Sequence, residues 1–270
     1  MLDPLLIVEL GVLGLATGFL AGLLGIGGGM LLVPFLTYIL GAQKVAPDLA
    51  VKMAIATSMA TIMFTSISSV RAHHQRGAVR WDIVKRLAPG IVLGSALASL
   101  GVFALLKGSW LALFFAAFVG FSATQMLLDK KPKPSRTLPG TPGLLGAGGV
   151  IGFLSGLVGA GGGFVSVPFM TWCNVVIHNA VATSAALGFP IALANAAGYI
   201  VAGQNVQDLP AGAVGYIYLP ALVVIACVSV LMAPLGVKAA HALPVKSLKR
   251  AFAGILYLLA AYMLYKGLMA

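Results

Sequence analysis

The sequence predicts an all-α integral membrane protein built from two inverted-topology repeats, each a glycine-broken helical hairpin followed by three transmembrane helices. Composition, the length of the apolar runs and a duplicated block carry that prediction. Of the 270 residues, 60% are hydrophobic and only 9% are charged, whereas a soluble domain carries about 25% charged residues. Apolar runs at Leu49 to Val70, Ile83 to Leu106, Leu111 to Leu128, Val181 to Ala202, Ala213 to Val237 and Ala251 to Leu268 each reach roughly the 20 residues that a helix needs to cross the hydrocarbon core. They are apolar on all sides, which sets aside a transmembrane β-barrel with its alternating polarity. The block GFLAGLLGIGGGMLLVPFL, Gly18 to Leu36, returns as GFLSGLVGAGGGFVSVPFM from Gly152 to Met170.

The elements follow in order. Residues 1–128 form the first repeat, 129–142 a cytoplasmic linker and 143–270 the second repeat. The N-terminal stretch MLDPLLIVELG has no basic n-region and no small-residue cleavage site, so the first segment is expected to be retained. In each copy of the block a greasy stretch is interrupted by glycines, Gly25 with Gly27 to Gly29 and Gly159 with Gly161 to Gly163, and then by Pro34 or Pro168. Paired hydrophobic segments interrupted by Gly and Pro at matching positions point to a transporter's binding site. Three ordinary spanning helices follow each hairpin. The stretch DKKPKPSRTLPGTP, Asp129 to Pro142, has the proline and lysine content of an extended linker.

Lysine and arginine set the orientation, because short loops rich in them stay on the cytoplasmic side. Three segments are basic: Arg71 to Arg86, the linker, and Lys238 to Arg250. All three face the cytoplasm only if each hairpin enters and leaves on one side, which gives an odd number of further crossings per half. The halves then point in opposite directions, with both chain ends outside. The formal net charge of +11 is accounted for by this topology and needs no nucleic-acid partner.

The repeat extends beyond the glycine block. Ala56-Thr57-Ser58 answers Ala182-Thr183-Ser184, and the same shift pairs Lys52 with His178 and Ser69 with Asn195. The chemistry available suits an anion. N–H groups at a helix N-terminus carry partial positive charge, and glycine lets a ligand approach the backbone closely. The candidate substrate-binding residues are therefore Gly27, Gly28, Gly29, Gly161, Gly162 and Gly163 at the breaks, with Thr57, Ser58, Thr183, Ser184 and Asn195 as side-chain donors. Lys52 and His178 stand one or two turns before the Thr-Ser pairs as candidate cations, the alternative for Lys52 being an interfacial, snorkelling lysine. Arg71 and His74 are candidates for a cytoplasmic vestibule that gathers anions, against simple placement at the headgroups. Gly18, Gly22, Gly152 and Gly156 read as helix-packing positions.

The doubled GxxGxxxGxGGG…P pattern, the paired Thr-Ser motif and the stretch HHQRGAVRW together resemble the TauE/SafE family of sulfite and organosulfonate exporters, over nearly the whole chain. The resemblance implies a multi-pass bacterial inner-membrane permease for sulfur-containing anions or related small carboxylates, and it suggests a homodimer in the lipid bilayer. One departure is visible: many members have an acid before the tryptophan of that stretch, where this chain has Arg80, and its acid, Asp82, follows Trp81.

Other classes fit less well. The motifs HExxH and GxSxG do not occur, so no enzyme and no cofactor is expected. Cys173 and Cys227 form no CxxC pair, and the six acids, Asp3, Glu9, Asp48, Asp82, Asp129 and Asp208, fall mostly at segment ends, so no metal site is expected. A small anionic substrate, exported by alternating access, is the reading that remains. Import of a sulfur anion or small carboxylate is the alternative, followed by a metal or cation transporter.

Overall fold

The computed structural model describes residues 4–25, 28–128, 136–242 and 245–269. It is built of helices. The first half contains α1 (Pro4–Leu24), α2 (Gly29–Ala42), α3 (Pro47–His74), α4 (Trp81–Leu105) and α5 (Gly108–Leu128). The second contains α6 (Thr141–Val158), α7 (Gly163–Trp172), α8 (Ile177–Ala202), α9 (Leu219–Ala242) and α10 (Val245–Met269). Among the described residues, eight of these helices are long and apolar enough to cross a membrane, while α2 and α7 are shorter.

Three local features depart from the sequence reading. The apolar run from Ala213 does not begin a helix there. Ala213–Val214 (β1) pairs antiparallel with Ile217–Tyr218 (β2) and α9 starts at Leu219, because Gly212 and Gly215 turn the chain at positive φ (86° and 54°). Helix α6 starts at Thr141, inside the stretch assigned to the linker, with Pro142 in its first turn, where the missing N–H costs nothing. Helix α4 contains a π-helical turn at Leu97–Val102, which no pattern in its apolar run announces.

The exterior is apolar and the interior is where the hydroxyls lie. Leu93, Leu105, Leu231, Leu258 and Phe121 are exposed, as lipid-facing side chains should be. Among the described residues, the buried polar side chains are serines and threonines with Asn195 and His73. Many of the hydroxyls bond a carbonyl one turn back, as Thr37 does to Val33 (2.8 Å) and Thr61 to Thr57 (2.9 Å).

Small residues set the helix pairings. Along α1, Gly14, Gly18 and Gly22 meet Ile225, Ser229 and Ala233 of α9 in rising order, so these helices run parallel. Gly90 and Gly94 of α4 likewise meet Leu145 and Gly149 of α6. A Cβ on Gly18, Gly22, Gly90 or Gly94 would overlap the facing backbone, and this close approach is how transmembrane helices gain packing energy. Helices α5 and α10 run antiparallel, with Leu113 beside Gly267 and Thr124 sharing a 2.6 Å hydrogen bond with Tyr257. Helices α3 and α8 pack together at the centre, where Ile62 and Ser66 face Gly188.

Candidate functional site

The centre is formed by the two helix breaks, each pressed against the long helix of the other half. Gly25 (φ 66°) and Gly28 (φ 72°) turn the chain between α1 and α2, and Gly159 (φ 73°) and Gly162 (φ 77°) do the same between α6 and α7. Only glycine takes up these left-handed conformations without cost. Gly25 lies against Val181 of α8, and Gly159 against Ile55 of α3. These are equivalent places, each two residues before the threonine of its Thr-Ser pair. Gly29 abuts the backbone of Gly159 and Ala160 so closely that a Cβ there would overlap the Gly159 carbonyl. Gly28 and Gly162 cap α2 and α7, which begin at Gly29 and Gly163. First-turn N–H groups of a helix have no intrahelical acceptor, so both helices direct donors toward the centre. Gly27 lies outside the described residues.

The Thr-Ser hydroxyls are used across the seam between the halves. Ser58 donates to the Gly159 carbonyl (2.9 Å), and Ser184 donates to the Gly25 carbonyl (3.0 Å). Thr57 Oγ1 accepts from the Tyr218 N–H (2.9 Å), and Thr183 Oγ1 accepts from the Arg80 N–H (3.0 Å). Tyr218 and Arg80 each immediately precede the fourth helix of the opposite half. Ser166 adds a bond without a counterpart, donating to Ser184 (2.8 Å), since Leu32 holds the equivalent place in the first repeat.

The remaining candidates are dispersed. Asn195 is fully buried; its Nδ2 donates to Ile191 one turn back (2.9 Å), and its Oδ1, with no hydrogen-bond partner, lies against Gly156. Lys52 is half-buried and stands away from the breaks, its Nζ donating to the Ala104 carbonyl (3.2 Å) and lying 5.6 and 5.5 Å from the Phe103 and Tyr216 ring centres. That is the position of a lysine closing a helix C-terminus. His178 is exposed in the first turn of α8, and Arg71 is exposed at the end of α3. His74 is exposed and accepts from Trp81 Nε1 (3.1 Å). Arg80 pairs bidentately with Asp82 at 2.9 and 2.7 Å on the surface, a contact of about 0–1 kcal/mol.

A small cavity adjoins the breaks, lined by Ala21, Gly25, Ile62, Ser66, Ser69, Gly161, Ala185 and Gly188. About 10 Å³ of it is open to a water's centre, room for roughly one water molecule. Ser69 Oγ is buried in this wall and has no hydrogen-bond partner. Ser66, Ser155 and Ser166 were not legible as central from sequence. Ser166 and Ser155 interrupt the repeat, replacing Leu32 and Ala21, and that substitution pattern is the signal that could have found them.

Two repeats with paired, interrupted helices meeting at a polar centre, wrapped in apolar exterior helices, define a multi-pass membrane transporter. The chain belongs to the sulfite exporter TauE/SafE family, whose sequence model matches residues 10–263. It is 38% identical over 256 residues to a probable membrane transporter protein of Haemophilus influenzae, covering 94% of this chain and 97% of that protein. A probable membrane transporter protein of Methanocaldococcus jannaschii is 28% identical over 268 residues, covering 98% and 96%. The probable membrane transporter protein YunE of Bacillus subtilis is 27% identical over 221 residues, covering 73% and 79%. No solved structure matches the chain.

Proposed function

We propose that the protein is a permease that exports small sulfur-containing anions, sulfite, sulfoacetate or other organosulfonates, across the bacterial inner membrane by alternating access. The observation that carries this reading is the meeting of two helix breaks at a centre where buried hydroxyls, the Asn195 amide and the first-turn N–H groups of α2 and α7 gather. Such groups donate to oxyanions. The family description points to sulfite. With the cell interior negative, each unit of negative charge that leaves gains about 2.3 kcal/mol per 100 mV, so an exporter of this kind needs no coupling ion.

The helix pairings support the inverted repeat. Helix α9 is the second half's counterpart of α4, and it runs parallel to α1. Successive segments of the first half alternate in direction, which makes α1 antiparallel to α4. The counterpart helices α4 and α9 therefore oppose one another, and the basic segments Arg71 to Arg86 and Lys238 to Arg250, read as cytoplasmic, put both chain ends on the outer side. In this reading the conformation is closed, because a cavity of one water's size must widen to admit an oxyanion. A homodimer belongs to the same reading through the resemblance alone.

A thermal-shift screen of purified protein against sulfite, sulfonates, small carboxylates, sulfate and divalent metals, followed by efflux from proteoliposomes, tests the proposal. Stabilisation that rises with sulfite or sulfonate concentration, together with efflux of the same anion, supports it. Stabilisation by a metal alone overturns it.

A further inference from the structure

The shift that superposes the Thr-Ser pairs, 57 on 183, also superposes Ile62 on Gly188, and both of these line the central cavity. The cavity therefore lies next to the axis relating the halves, and it extends to one side of it. Ser66, Ser69 and Ala185 are on that side, and Ser69 is two residues from Arg71, so it is the basic side of the protein. The mirror positions are occupied differently. Where Ala185 leaves room, the first repeat places Met59, fully buried. Where Ser69 stands, the second repeat places Asn195; where Ala21 stands, it places Ser155.

Both sides carry buried polar atoms without a partner: a hydroxyl on each and, on the mirror side, an amide oxygen that only accepts. Ser69 Oγ is buried without a hydrogen-bond partner on the open side. On the mirror side, Asn195 Oδ1 and Ser155 Oγ are buried without one, in residues 0% and 3% exposed. Asn195 Oδ1 lies against Gly156, the residue after Ser155. Buried polar atoms in native proteins nearly always have partners, so unpaired atoms at two mirror-related places call for an explanation that applies to both.

We propose that Asn195 and Ser155 form the second of two ligand half-sites, the image of the one at Ser69 and Ala21, and that the transported anion occupies each in turn as access alternates. The inference rests on the permease reading above. At the first half-site the Ser69 hydroxyl donates to the anion. At the second, the Asn195 amide, now tied to Ile191 in its own helix, turns its N–H toward the ligand. Met59 is the plug of that half-site, and an unbranched, flexible methionine is suited to move. Ala185 leaves the cytoplasmic half-site unplugged.

Cysteine accessibility in the full chain tests this without knowing the substrate. S69C and N195C are introduced separately with Cys173 and Cys227 replaced by alanine, and a membrane-impermeant methanethiosulfonate is applied to spheroplasts and to inside-out vesicles. A monodisperse gel-filtration peak serves as the folding control. The expected result is labelling of S69C from the cytoplasmic side and of N195C from the outside. Adding M59A should speed N195C labelling severalfold, and adding A185M should slow S69C labelling severalfold. Labelling of both from one side, of either from neither side, or a rate at N195C that ignores Met59 would overturn the proposal. Sided labelling that sulfite does not protect would overturn the sulfite assignment and leave the half-sites standing.

Discussion

Ser58 in the first half donates its hydroxyl to the carbonyl of Gly159 in the second, at 2.9 Å. The Gly159 carbonyl is freed by the glycine's left-handed turn out of α6. Ser184 repeats the contact on Gly25, so each helix break is held by a residue from the opposite repeat.

The two serines differ in how much they hold. Ser58 makes one bond across the seam, whereas Ser184 both donates to Gly25 and accepts from Ser166. Ser58→Ala should cost about 1 kcal/mol and Ser184→Ala about 1–3 kcal/mol, since the latter also strands a buried donor. Thermal unfolding in detergent reads the order, and equal losses would contradict it.

The threonines next to them should act on folding. Thr57 and Thr183 accept from the backbone N–H groups of Tyr218 and Arg80. Valine at either position fits the space but leaves that N–H unpaired, for a loss of about 1–3 kcal/mol, and serine should largely restore it. If valine weakens anion binding with an unchanged melting temperature, these hydroxyls are ligand groups instead.

Glycines should divide sharply by what they face. Gly22→Ala drives a methyl into the Ala233 carbonyl of α9 and should lower the melting temperature. Gly11→Ala and Gly120→Ala meet open space and should be neutral or stabilising by up to about 1 kcal/mol, because alanine is the better helix former. Comparable destabilisation at Gly11 and Gly22 would mean that α1 does not rest on α9 in this register.

Topology has its own check. Single cysteines at Gln204 and Lys133 should react from opposite faces of the membrane, Gln204 outside and Lys133 inside. Reaction from the same face would rule out opposed halves.

Much of this architecture is legible in the chain because membrane helices announce themselves by length and the repeat marks its own exceptional residues. Both breaks and both Thr-Ser pairs stand out that way. Their partners do not, since Thr57 meets Tyr218 only through packing of two halves that are far apart in sequence. The hairpin at Ala213–Tyr218 is hidden inside an apolar run, and only Gly212 and Gly215 betray it. Lys52 looks central by spacing along its helix, yet the fold directs it to the end of α4, where Ala104 offers a carbonyl and Phe103 and Tyr216 offer ring faces.

The exchange of bonds at Ser58 and Ser184 has a consequence for assembly. Neither repeat contains the donor that completes its own break, so a ribosome that has made only residues 1–128 has made a centre that cannot yet close. Closure waits for α6 to α8 to arrive. Two separately expressed halves should accordingly rescue one another, each supplying the clasp that the other lacks.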